Sequence, residues 1–355
     1  MSQTSSSRLL RWGCVLLPPA LLAAGFAWAA GLFSPHRLST ARFMTVLENG
    51  GGAAPGFRRA HSKGLCVLGQ FDASGAMTAY SSAAVFSQSH IPVTGRLALA
   101  PPFPHIVDGP GIVRSMALRL QPDHAQEWRT TMNDPPLQPM RDIQDAFASF
   151  SANQRDPVTH KPDPRLAKAY EEARPWLKTA YAANRAHVMS SDFANDTFNS
   201  IDSFQVTNAQ GERHTVRWSM VPVSPPEAPV RPEDAHDPNV LFTHVIASLH
   251  QQPLRWNLVV TIANPSDPVN DPSQPWAPTD RTVTAGTLTL HSSASEDNSP
   301  CGGMVFDPTI LPSGLSLSGD PLPALRSAVY MRSFVRRSGE TKDPSSITPA
   351  MTQPH

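Results

Sequence analysis

Three well-separated segments of this chain carry side chains whose types and spacing suit chemistry. In "GFRRAHSKG", Arg58, Arg59 and Lys63 surround His61, and an apolar run, "LCVLGQF", follows at once. In "MNDPPLQPMRD", Asn133 precedes an Asp-Pro-Pro turn whose two prolines hold the backbone rigid. In "FDPTILPSGLSLSGDPLPALRSAVYMRSFVRR", Arg326 stands four residues before Tyr330, and Arg337 seven after it. On a helix, residues i and i+4 share a face, so the Arg326 guanidinium can reach the Tyr330 phenol. A cation there favours the phenolate, and a phenolate is a metal ligand. Taken singly, each segment has a plainer reading: a solvated basic turn, a turn asparagine, an Arg/Tyr pair on a helix surface.

The chain has 355 residues, with 29 basic and 29 acidic, so its formal charge is zero. No global field and no lysine-rich block recruits nucleic acid, and none is expected as a partner. Thirty-seven prolines and 20 glycines predict few long helices and many ordered loops. Three cysteines, Cys14, Cys66 and Cys301, are too few for a disulfide scaffold and lack metal-site spacing. Cys66 and Cys301 are either paired in an oxidising compartment or inert buried thiols, and the sequence leaves both open. No H-x-x-x-H or H-E-x-x-H spacing points to a histidine metal site.

Arg8 and Arg11 precede an uncharged run from Trp12 to Pro35. As a helix such a run suffices to cross a bilayer, which predicts a transmembrane anchor. Ala27-Trp28-Ala29 has the small-x-small form of a signal-peptide cleavage site, the other reading of the same segment. Either way the remainder is expected to be exported, to the periplasmic side of the inner membrane on a single anchor or to the periplasm after cleavage.

The elements that must position the three segments are mostly strands. Runs at Leu65–Phe71, Val93–Leu99, Val113–Leu120, Phe204–Thr207, Thr215–Met220, Trp256–Ile262 and Thr282–Leu290 are β-branched and bounded by turn residues. "SFQVTNAQGERHTVRWSM" reads as a hairpin turning at Asn208–Glu212. Helical periodicity marks Leu38–Leu47, Arg141–Phe150, Leu166–Ala183 and Asn239–Gln251. The expected class is α+β, an antiparallel β-barrel with attached helices. The expected division is an anchor or signal at 1–35, a linker at 36–55, a barrel domain at 56–338 and a disordered tail at 339–355.

In this order the segments resemble the catalase family. "RRAHSKGLCVLGQF" is similar to that family's distal-histidine segment, "MNDPPLQPMRD" to its distal-asparagine segment, and "FDPTILPSGL…LRSAVYMRSFVRR" to its proximal haem-ligand helix. "VTGRLALAPP", "VRSMALRL" and the hairpin resemble the strands between. The short chain, the export signal and "RSAVYMRSFVRR" resemble more closely the catalase-related peroxidases, minimal haem proteins of mostly bacterial origin.

The resemblance implies a catalase-type barrel enclosing haem b (iron protoporphyrin IX). It implies a haem-dependent peroxidase that uses organic hydroperoxides or hydrogen peroxide as oxidant through a ferryl intermediate, in oxidative stress, with weak catalase activity and an unidentified electron donor. His61 would be the distal acid/base, Asn133 its partner in orienting peroxide, and Tyr330 the axial ligand of the iron, held as phenolate by Arg326. Arg58, Arg96 and Arg337 would engage the propionates or line the proximal side, and Phe147 would stack on the haem. Ala98 stands where the family has a serine bonded to the distal histidine, which is expected to loosen His61. A haem- or lipid-carrying barrel without turnover, and a haem protein that rearranges fatty hydroperoxides, are the alternatives.

Overall fold

The computed structural model describes residues 4–29, 38–51, 54–109, 111–156, 159, 161–187, 192–223 and 236–353. The chain divides into two units, Met1–Arg42 and Phe43–His355. In the first, helix α1 spans Thr4–Ala29, with Pro18 and Pro19 inside it and Leu16, Leu17, Leu21, Leu22 and Phe26 exposed. Among the described residues no helix is long and apolar enough to cross a membrane. The expected spanning anchor finds no support among them. Residues 30–37 lie outside the described part.

In the second unit eight antiparallel strands close a barrel. They are β1 (Gly64–Ala73), β2 (Ile91–Leu99), β3 (Arg114–Leu120), β4 (Trp128–Asn133), β5 (Phe198–Asn199), β7 (Arg213–Pro222), β8 (Leu254–Ile262) and β9 (Arg281–Ala294). They pair in that order, and β9 returns to β1. β6 (Phe204–Thr207) lies on β7 through the expected hairpin, and β10 (Leu315–Leu317) lies on β6. All seven expected strands are present. β4, β5 and β10 carry no sequence signal of comparable strength: β4 alternates only Trp128, Thr130 and Met132 with polar residues, and β5 is two residues long.

Successive side chains of a strand point to opposite faces, and here the two faces have different fates. Leu97, Met116 and Met132 lie opposite one another across β2, β3 and β4. With Val67, Phe198, Trp218, Leu258 and Leu288 they belong to one buried cluster that touches all eight strands. In a closed barrel such a cluster is the interior, so the barrel is filled by its own side chains. The outer face of the same strands carries two cross-strand rows, Arg96–Ala117–Thr131 and Ala98–Ser115–Asn133.

Helix α2 (Thr40–Gly51) precedes the barrel, and its Phe43, Met44, Val46 and Leu47 are buried. The expected linker at 36–55 is therefore partly a packed helix. α3 (Ile143–Ala152) starts at Asp142, whose side chain accepts the Asp145 N–H at 2.7 Å. The single helix expected over Leu166–Ala183 is two, α4 (Pro164–Glu172) and α5 (Leu177–Ala186), because Pro175 cannot continue the ladder. α6 (Val240–Gln251) buries Leu241, Phe242, Val245, Ile246 and Leu249 against the barrel core. α7 (Pro300–Gly303) and α8 (Leu322–Ser338) complete the fold.

The tail expected to be disordered is docked over its described length. Glu340 accepts the Gly56 N–H at 2.8 Å and pairs with Arg59, Lys342 pairs with Asp297, and Ile347 is fully buried. Gly56, at φ +74°, lies so close to Lys342 that a Cβ would collide with it. The tail is polar, but its few anchors each find a specific partner.

Cys66 and Cys301 form a disulfide, with Cα atoms 5.8 Å apart, joining β1 to α7 across 235 residues of chain. This settles the alternative left open above. Peptide mapping after alkylation should find both cysteines protected before reduction and free after it. Cys301→Ser should cost about 2–5 kcal/mol of stability. Free thiols at both positions in the unreduced, unfolded chain would refute the bond.

Candidate active site

A cavity lies against the outer face of β2–β4. Its walls include His61, Arg96, Ala98, Ser115, Thr131 and Asn133 on the strand side. Val329, Tyr330, Arg326, Ser333 and Arg337 of α8 supply the other wall, with Leu47 of α2 and the 304–306 segment. The expectation that the barrel would enclose the site is thus corrected. The interior is already full, and the site uses the opposite face of the strands.

His61 has φ of +57°, a left-handed conformation that non-glycine residues seldom adopt. Its N–H donates to the Ala100 carbonyl at 2.9 Å, which fixes the loop ahead of β1. Burial, then the nearby charges of Arg96 and Arg326, lower the imidazole from 6.5 to about 3, against a raising hydrogen bond that the ring donates to Asn133. The ring is therefore neutral throughout the ordinary pH range. Asn133 closes β4, and its Oδ1 accepts the Ser115 hydroxyl at 2.6 Å. That leaves the Asn133 amide N–H₂ to face the cavity as donor. Ala98 stands directly across from Ser115, so the only hydroxyl in that row serves the asparagine rather than the histidine.

Helical spacing does place Arg326 beside Tyr330, with Nη2 at 3.5 Å from the phenol oxygen. The same guanidinium donates to Thr131 Oγ1 at 2.5 Å and is ion-paired with buried Asp202. Burial would lower Arg326, but Asp202 and Tyr330 outweigh it and hold the guanidinium above its ordinary value. Tyr330 therefore faces a permanent, well-anchored cation.

At the far edge Arg58, Arg96 and Arg337 converge. Arg96 grips Glu296 with two bonds of 2.8 Å, and Arg58 pairs with the same carboxylate. Arg58 also donates to the carbonyls of Cys301 and Met304 at 2.9 and 3.0 Å, and Arg337 to that of Gly302 at 2.8 Å. Burial and the neighbouring Arg96 lower Arg58 to about 9. Burial would raise Glu296, but Arg96 and Arg58 hold it at about 2. Arg59 and Lys63 are neither solvated nor part of this cluster: Arg59 binds Glu48 and Glu340, and Lys63 binds Asp108 at 2.7 Å.

Seven of the eight residues singled out in the sequence thus meet at one cavity. Phe147 does not. It is not among the cavity's lining, and its ring lies 6.3 Å from that of Phe43. α3 instead turns Ala146 inward, and the phenyl ring that does line the cavity is Phe306. Glu296, Ser115 and Asp202 escaped sequence reasoning because each acquires its role only from a partner brought across the fold.

The residues fit haem. One carboxylate, Glu296, faces the buried guanidinium of Arg96 and the half-buried ones of Arg58 and Arg337, a surplus of two positive charges that a dianionic group would neutralise. Tyr330 offers the iron a phenol oxygen beside the anchored Arg326 cation.

The catalase family model matches residues 56–344. The chain is 27% identical over 333 residues to a catalase-related peroxidase of Synechococcus elongatus, covering 94% of this chain and 98% of that one. It is 30% identical over 306 residues to a catalase-related peroxidase of Mycolicibacterium paratuberculosis, covering 83% and 94%. The fold is similar to that of a fungal catalase (TM-score 0.72) and a bacterial catalase (TM-score 0.70), each 16% identical and each covering 81% of this chain. The chain spans about three-fifths of the length of those two catalases, 60% and 58%. Matched by the family model over most of its length, with the barrel, the tyrosine helix and the histidine loop meeting at one cavity, the chain belongs to the catalase family.

Proposed function

We propose that this chain is a haem-b peroxidase that takes hydroperoxides, organic ones by preference, as its oxidant. The observation that carries the reading is the single cavity uniting a neutral histidine, an asparagine amide and a tyrosine beside a fixed cation with three guanidiniums. Tyr330 would hold the iron, and Arg58, Arg96 and Arg337 the propionates. Haem, when bound, supplies the redox chemistry of O–O cleavage. The protein's own work is proton transfer and orientation. Neutral His61 accepts the proton of the incoming peroxide and delivers it to the departing oxygen, releasing alcohol or water. The Asn133 N–H₂, aimed by Ser115, holds the peroxide in line. General acid–base work of this kind is worth about 10²–10⁴-fold. Leu47, Val305, Phe306 and Val329 give the Tyr330 side of the cavity an apolar lining that suits the flat hydrocarbon body of the haem. Both relatives are catalase-related peroxidases, which supports peroxidase turnover with an electron donor.

Variants at the two ends of the site separate this reading from a haem carrier. Tyr330→Phe should lose most of the haem and the phenolate-to-iron charge-transfer band. His61→Ala should keep its haem but turn over cumene hydroperoxide about 10²–10⁴-fold more slowly. Unchanged turnover in His61→Ala would leave a carrier. The wild type should show no acid limb near 6.5, because His61 stays neutral down to about 3. The unfolded chain recovers a histidine of 6.5 and binds the proton that the folded chain refuses. Stability should accordingly fall as pH drops from about 6.5 to about 3.

We further propose that the chain is exported by a cleaved signal. The support is the apolar, exposed α1 behind two arginines and the Ala27-Trp28-Ala29 site. Intact-mass analysis of the expressed protein should give an N-terminus at Ala30 in the periplasmic fraction. Retention of the complete N-terminus in the cytoplasm would contradict export.

A further inference from the structure

Outside the cavity, the ends of β4 and α5 and the turn before β5 bring Asp134, His187 and Asp196 together. Each offers one ligand-type atom, and these atoms lie within 4.8 Å of one another. Asp134 and Asp196 are 0% and 1% exposed. Asp134 Oδ1 accepts the Arg114 N–H at 3.0 Å, but its Oδ2 is buried with no hydrogen-bond partner. His187 Nε2 is buried without a hydrogen bond but lies 3.7 Å from Asp196 Oδ1, at ion-pair distance. Asp196 Oδ2 accepts from the Arg114 guanidinium at 3.1 Å, and its Oδ1 from the Thr197 N–H at the same distance.

A carboxylate oxygen with no partner and an imidazole nitrogen held only at ion-pair distance, converging in a buried place, are costly unless something occupies the space between them. With a neutral imidazole, the two carboxylates and Arg114 leave one net negative charge there, which suits a cation. One imidazole nitrogen and two carboxylate oxygens form the donor set of an open divalent site, with room for water as a further ligand. We propose that Asp134, His187 and Asp196 bind a divalent first-row cation, Zn²⁺ or Mn²⁺ in character. The ion would tie the end of α5 and the approach to β5 to the end of β4. Its place matters to the cavity. Asp134 adjoins Asn133 in the chain, and Asn199, which pairs with Asn133 across the ladder, donates to the Asp134 carbonyl at 2.8 Å. An ion here would hold the strand end that presents the Asn133 amide. The competing occupant is a proton shared between the carboxylates.

The test uses the full chain, stripped with a chelator and titrated with Zn²⁺ alone and, separately, with Mn²⁺ alone, with bound metal counted apart from iron. One equivalent should bind, and saturation should raise the melting temperature by about 5 °C. His187→Ala and Asp196→Asn should each weaken that binding by about 100-fold or more. Should Asp196→Asn not fold, His187→Ala, at the end of a surface helix, decides alone. Wild type that binds neither ion, or binds no better than His187→Ala, would overturn the site and leave the proton as its occupant.

Discussion

The cross-strand register of β2, β3 and β4 is the constraint on which the site depends. One register sends Leu97, Met116 and Met132 into the barrel core and aligns Ala98, Ser115 and Asn133 on the outer face. A slip of one residue would exchange the two sets and bury Arg96 among hydrocarbon. The hydrophobic interior therefore selects the arrangement that places the site residues, although none of its side chains belongs to the chemistry. The same rows receive α8, because Arg326 bonds Thr131 in the row beside Asn133. Tyr330 is thereby positioned from the strands as well as from its own helix.

A second constraint is electrostatic. Three guanidiniums crowd one edge of the cavity, and Glu296 offsets one of them. Carbonyls of the 301–304 turn absorb donors from Arg58 and Arg337, and the Cys66–Cys301 bond pins that turn to the strand residue facing Arg96. The cluster is thus organised by covalent and hydrogen-bonded supports but not neutralised by them. A buried surplus of charge is expensive, and it marks where an anionic partner contributes most.

What the sequence revealed followed from local spacing. Arg326 and Tyr330 are legible because i, i+4 is a property of any helix, and β1–β3 and β7–β9 because alternation survives in each. His61 and Asn133 are legible through resemblance, since neither has a neighbour in sequence that explains it. Phe147 stands apart because no residue of α3 lines the cavity, so a shift of register along that helix would not bring a ring to the site. Glu296, Ser115 and the Asp134–His187–Asp196 cluster depend on partners many residues away, and no spacing encodes such meetings. The docked tail was hidden for a related reason. Its composition is that of a solvated segment, and only the partners Arg59 and Asp297 make Glu340 and Lys342 anchors.

The central claim is that this cavity is built for a dianionic, tyrosine-ligated haem, and the two acidic arms of the cofactor give the most direct access to it. Equilibrium titration of the cofactor-free chain with haem and with its dimethyl ester compares ligands that differ only in those two charges. If Arg58, Arg96 and Arg337 carry the surplus that the geometry indicates, the ester should bind roughly 100-fold more weakly, the loss of two charge-assisted interactions. Equal affinity for the two would contradict the account.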